Sequence, residues 1–220
     1  MEKNKLERID WQYIIREIRS VLNFDKGILY TIRELILRPG NCIKQFIRED
    51  RNRIVKPIIF LIFSALILTL TNRIFELDIE TLQNEFNKVN PGVKKVTNWV
   101  GKNQGLGNIL EGIFIGFIAK LFFRKSNFNI YEIFVLIFFI SGIVNLIFAF
   151  CRIVQNLTGS YYGNVSLIFG FIYSTWAIGN FFGGNKILSY SKALLVYLLG
   201  SIAIFIISIG NLINVFIKSS

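Results

Sequence analysis

Residues 193–217, ALLVYLLGSIAIFIISIGNLINVFI, run for 25 positions without a charged side chain. No other feature restricts the fold as much. A helix of this sequence is apolar on every side, so it has no face to offer water and must be enclosed by protein or lipid. About 20 apolar residues cross the hydrocarbon of a bilayer, with about 17 as the lower limit. Four more segments approach or meet that length: 57–72, 105–123, 133–151 and 165–182. The first has only 16 residues and gains reach if Lys56 and Arg73 extend their ammonium and guanidinium groups to the two interfaces. A membrane β-barrel would instead show segments of about ten alternating residues. The expected fold class is therefore all-α, an integral membrane helical bundle of about five transmembrane helices with an amphipathic helical cytoplasmic head.

The charge distribution supports that division. The chain carries 25 Lys plus Arg against 14 Asp plus Glu, a formal charge of +11, which in a soluble protein would suggest nucleic acid as a partner. Here 13 of the basic residues fall in 1–56 and the apolar body is nearly charge-free, so nucleic acid is excluded and a membrane surface takes its place. Residues 1–56 are read as the head, 57–217 as the five-span domain, and 73–104 as a helical loop on the outer face. Basic residues resist transfer to the outer side. With the amino terminus inside, 18 of them lie on the cytoplasmic side and 7 outside. The amino terminus is expected in the cytoplasm of a bacterial inner membrane and the carboxyl terminus outside, with Cys42 and Cys151 at opposite faces. Residues 1–22 mix acids and bases and do not read as a secretory signal.

Within the head, Trp11, Ile14, Ile15, Ile18, Val21 and Leu22 form one helical stripe flanked by Arg8, Arg16 and Arg19. A second helix is predicted over 28–37, stopped by Pro39 and Gly40, and a third after an Asn41 cap, with Ile43, Phe46 and Ile47 on one face. Lys56 and Pro57 open the first span, because proline fits the first helical position, where no N–H is needed. Arg38, Lys44, Arg48, Arg51, Arg53 and Lys56 form the candidate lipid- or partner-binding set. Each well-placed cation contributes about 1 kcal/mol toward anionic lipid, although the same charge also serves as a topology signal. The expected partners are anionic membrane lipids, with a second copy or another membrane protein as alternatives. Outside, Phe75, Ile79, Leu82, Phe86 and Val89 recur at helical spacing until Asn90-Pro91-Gly92.

Chemistry-bearing motifs are scarce. The chain has no histidine, which removes the commonest acid–base group and metal ligand. It has no phosphate loop, nucleophile elbow or CxxC pair either. No catalytic role, metal or cofactor is expected. Ionisable residues inside spans are functional suspects, and Glu111 stands out, about two turns from the outer end of its span, with Arg73 and Arg152 as potential partners. Lys120 and Glu132 read as interfacial. Asn145, Asn180, Asn211 and Asn214 either hydrogen-bond between helices or line a polar pocket with Glu111, which is the basis of an alternative permease or channel reading. Gly112 with Gly116 and Gly179 with Gly183 form two G-x-x-x-G pairs suited to close helix packing.

KGILYTIRELILRPGNCIKQFIREDRNRIVKPIIFLIFSAL, residues 26–66, resembles the juxtamembrane motif of an uncharacterised family of bacterial multi-pass membrane proteins. There a Gly-x-x-x-Thr stretch leads to Arg-Pro-Gly, a helix ending in basic residues, and a Pro-initiated span. NFNIYEIFVLIFF at 127 and IYSTWAIGNFF at 172 resemble later segments of that family. Many relatives begin with a zinc ribbon of paired cysteines; this chain lacks one, so no metal-dependent role is implied. The family is a domain of unknown function and implies no activity. Five spans, an inside amino terminus and a short outside tail are also loosely similar to Yip-type membrane proteins.

Overall fold

A computed structural model describes residues 27–75, 104–159, 163–183 and 186–217, with backbone alone for 104–110, 163–164, 186 and 203–217. The predicted helix around Trp11 to Leu22 and nearly all of the outer loop lie outside the described residues. Among the described residues the chain is all-α: α1 Ile28–Leu37, α2 Pro39–Arg48, α3 Pro57–Ile74, α4 Gln104–Phe122, α5 Ile130–Thr158, α6 Gly163–Phe182 and α7 Lys186–Ile217.

Three of these helices, α3, α5 and the 165–182 stretch of α6, are long and apolar enough to cross a membrane. That is fewer than the five expected. Helices also occupy the other two positions, but the described apolar stretch of α7, Ile187–Ile202, is shorter than a span, and α4 has described side chains only from Glu111 onward. The surface carries the same signature. Ile58, Ile59, Ile62, Leu66, Leu70 and Ile74 form an outward stripe along α3, and Leu167, Ile168 and Ile172 along α6. Ser64, Asn145 and Ser174, by contrast, are fully buried. Leaving a large aliphatic side chain in water forgoes roughly 1.5–3 kcal/mol, so an apolar exterior around a partly polar interior suits lipid as the solvent.

Local chemistry sets the ends of the elements. Pro39 and Pro57 each stand at the start of their helices. The expected Asn41 cap is not used: α2 begins three residues earlier, at Pro39 with Arg38 as its cap, because proline at a first helical position opens a helix as readily as it closes the preceding one. Asn129 and Glu132 form a reciprocal capping box at the start of α5. Gly159, at φ +66°, ends α5 in the left-handed conformation that glycine adopts without a Cβ penalty.

Helices α3 and α5 start at the head end, where Lys56 and Pro57 face Tyr131 and Glu132. Helices α4 and α6 finish there, with Phe123 stacked on Phe182 at 3.8 Å between ring centres. One apolar core runs through head and bundle together. Phe139 of α5 lies at its centre, edge-on to Phe46 of α2 at 5.5 Å and tilted against Phe60 of α3 at 5.9 Å. Gly112 and Gly116 bring α4 against Ile137, Ser141 and Phe134 of α5, as the G-x-x-x-G spacing predicts. The second pair divides its work: Gly179 accepts the Tyr190 ring of α7, whereas Gly183 terminates α6.

Candidate functional site

The basic set of the head separates into two groups with different surroundings. Glu34, on the inner face of α1, has a side chain only 5% exposed, and a carboxylate held there needs compensating charge and hydrogen bonds. Arg38, one turn later, supplies a two-point contact, Nε to Oε2 and Nη2 to Oε1, each at 2.9 Å. Arg53 arrives from the α2–α3 linker and donates Nη2 to Glu34 Oε2 at 3.0 Å, Nε and Nη2 to the Tyr30 hydroxyl at 3.1 and 3.0 Å, and Nη1 to Gln45 Oε1. The Arg53 guanidinium is held more firmly protonated by the Tyr30 hydrogen bond, and Arg38 by Glu34. Arg53 clamps the linker and α2 to α1, Arg38 pairs with Glu34 at the end of α1, and both guanidinium groups are thereby committed.

The two motifs of the resemblance acquire physical roles here. Thr31 Oγ1 donates to the Gly27 carbonyl and accepts the Val55 N–H, both at 3.0 Å, so the Gly-x-x-x-Thr stretch ties the linker back to the first turn of α1. In Arg38-Pro39-Gly40 the arginine pairs with Glu34 and the proline opens α2. The glycine lets α2 touch α6, because a Cβ on Gly40 would lie 2.6 Å from the Asn180 backbone carbonyl. Asn180 is therefore a docking point of the head. Burial pushes the Cys42 thiol up to about 12, with Glu34 adding to the effect.

Lys44 and Arg48 lie over aromatic rings, Lys44 Nζ 5.9 Å from the centre of Phe181 and the Arg48 guanidinium 4.9 Å from that of Phe128. Burial, then the neighbouring Arg48, lowers the Lys44 ammonium from its usual range. The remaining pair, Arg51 and Lys56, is exposed and forms no ion pair among the described residues. They stand over a groove of about 620 Å³ whose apolar wall comprises Phe46 and Ile47 of α2, Pro57, Ile58 and Ile59 of α3, and Val135 of α5. Tyr131 and the capping-box residues Asn129 and Glu132 complete it. The Glu132 carboxylate is already engaged by the Asn129 N–H at 2.7 Å.

A second feature lies among α4, α5, α6 and α7. Glu111 Oε1 accepts a hydrogen bond from Ser201 Oγ at 2.8 Å and faces a chamber of about 540 Å³. Ser141, Ser174 and Tyr197 add hydroxyls, and the rest of the lining is aliphatic or aromatic apart from Gly112. Glu111 forms no ion pair with Arg73 or Arg152 among the described residues. Two of the asparagines grouped with it in the sequence, Asn145 and Asn180, are elsewhere. Asn145 donates to Ser64 Oγ at 3.4 Å across the α3–α5 contact, Asn180 meets Gly40, and the Asn211 side chain lies outside the described set. Lys120 and Glu132 have local roles, Lys120 donating to the Phe128 carbonyl at 2.8 Å and Glu132 capping α5.

The sequence reading missed the burial of Glu34 and the hydroxyls of Ser201 and Tyr197. The four-residue spacing of Glu34 and Arg38 carried a signal for the first. Nothing periodic marks the second, because Ser201 meets Glu111 across 90 positions of chain and Tyr197 joins the same chamber wall from 86 positions away.

Among known proteins, the family described as Protein of unknown function (DUF3667) matches residues 25–69, which include both head helices, the linker and the first two-thirds of α3. No curated protein and no solved structure is matched.

Proposed function

We propose that this is a non-catalytic integral membrane protein that binds anionic phospholipid at the cytoplasmic end of a five-span bundle, and thereby organises lipid or a membrane protein partner there. The observation that carries the reading is the groove under Arg51 and Lys56. Two uncommitted cations overlie an apolar channel at the residue where α3 begins, the depth at which a phospholipid changes from headgroup to acyl chain. Two cations at about 1 kcal/mol each favour an anionic over a zwitterionic headgroup by roughly 30-fold, less whatever Glu132 opposes. The basic excess at the head end favours a cytoplasmic orientation for that end.

Electron paramagnetic resonance on the reconstituted protein tests this with spin-labelled phosphatidylglycerol and phosphatidylcholine. The wild type should immobilise more of the anionic lipid, and Arg51→Gln with Lys56→Gln should remove the difference. Equal immobilisation of the two lipids by the wild type would contradict the proposal. The second reading, a small-molecule permease, has the Glu111 chamber in its favour; it requires flux into liposomes that Glu111→Gln alters.

A further inference from the structure

We infer that the Glu111 chamber binds an amphipathic organic cation, a protonated primary or secondary amine on an apolar body, that enters from the hydrocarbon between α6 and α7. This deepens the permease reading by naming a ligand class, but binding stands whether or not the ligand is carried across.

Three observations converge on that class. The first is charge. No Lys or Arg lies between Lys102 and Lys120 or between Lys192 and Lys218, so the helices of Glu111 and Ser201 offer no cation within their apolar stretches. Arg152, one turn beyond the lining residue Phe148, is not part of the wall. A carboxyl group in an apolar site is neutralised either by a proton or by a cation that comes to it, and among the described residues the chamber wall contains no cation.

The second is hydrogen bonding. The hydroxyls of Ser141, Ser174, Tyr197 and Ser201 share the wall with Glu111. Their oxygens accept N–H bonds, as an ammonium with two or three donors requires. A quaternary ammonium would leave them unused.

The third is access. Leu167, Ile168 and Leu198 belong to the chamber wall and are also exposed, at 61%, 58% and 40%, on the outward faces of α6 and α7. The opening is therefore lined by the side chains that would face lipid, and a molecule using it must first partition into the bilayer. A volume of about 540 Å³ lies within the usual range for small-ligand sites, roughly 300–1,000 Å³.

Monodansylcadaverine, an amphipathic primary amine, is a suitable probe, titrated by fluorescence against the full-length protein in a neutral detergent. Saturable binding is expected, weakened about tenfold or more by Glu111→Gln and about threefold by Ser201→Ala. Ser141→Leu, which retains Glu111 but fills the chamber, should abolish it. The N-acetylated probe, which has the same body without the charge, should bind the wild type no better than it binds Glu111→Gln. Arg51→Gln with Lys56→Gln should leave amine binding unchanged, which separates this site from the lipid groove. Equal amine affinity in wild type and Glu111→Gln, equal affinity of amine and acetylated probe, or full binding to Ser141→Leu would each overturn the inference.

Discussion

Glu34 and Glu111 both carry a carboxyl group within the folded chain, and the molecule treats them in opposite ways. Glu34 is surrounded by two guanidinium groups, which in turn hold Tyr30 and Gln45, so its charge is fully answered within the chain. Glu111 has one hydroxyl, from Ser201, and an open chamber in front of it. A buried charge matched by its own protein is a fastening, because removing it leaves the partners uncompensated. One that is not matched has capacity for something else. The same contrast recurs among the cations of the head: Arg38 and Arg53 are committed to Glu34, whereas Arg51 and Lys56 overlie an apolar groove.

The sharpest challenge to the fastening side is Gly40→Val. Its Cβ would meet the Asn180 carbonyl at 2.6 Å, and backbone cannot yield there without separating α2 from α6. Overpacking of this kind costs about 1–3 kcal/mol or more. The melting temperature should fall by the largest margin of any single substitution considered, and an unchanged value would mean that the head is not docked on α6.

Next in size is the direct comparison of the two carboxylates. Glu34→Gln should destabilise by about 2 kcal/mol, the scale of a lost charge-assisted network, which lowers the melting temperature by roughly 4–8 °C in a chain of this length. Glu111→Gln keeps an acceptor for Ser201 and should change it by less than about 2 °C. Similar losses in the two variants would end the distinction between a fastening and a site.

A smaller effect is expected at Asn145. Replacing it by Leu removes the hydrogen bond to Ser64 between α3 and α5, worth about 1 kcal/mol or less in a membrane bundle. Amine binding at Glu111 should be unaffected, since Asn145 does not line that chamber.

The smallest effect concerns Cys42. Its thiol is raised from 9.0 to about 12, so the folded state favours the neutral form and loses stability as pH rises from 9 toward 12, where the unfolded chain ionises first. Alkylation of Cys42 should stay slow at pH 8–9 in the wild type and accelerate in Gly40→Val. Rapid labelling of the wild type would show that the head opens readily.

Much of the architecture was legible because it rests on local rules. The bounds of α1 follow from Gly27 and Pro39, and the start of α3 follows from Pro57; helices lie at all five expected apolar segments. The start of α2 was misplaced because Asn41 resembles a cap, while Pro39 can end one helix and begin another. The candidate sites were legible only in part. Six basic residues in one stretch look alike in a sequence, yet Arg53 turns inward to a glutamate 19 positions earlier and Arg51 turns outward. Likewise, the span asparagines could either hydrogen-bond between helices or line a pocket with Glu111, and it is the structure that puts Asn145 against Ser64 and Asn180 against Gly40. Such assignments depend on which helix faces which, and periodicity within one helix does not encode that.

The central claim, that the groove under Arg51 and Lys56 retains anionic lipid, is tested most directly by native mass spectrometry of the full protein released gently from its own membrane. The account predicts co-purified anionic phospholipid on the wild type, retained in Glu111→Gln and lost from the Arg51→Gln, Lys56→Gln double variant. A wild type that carries no anionic lipid, or a double variant that carries as much, would contradict it.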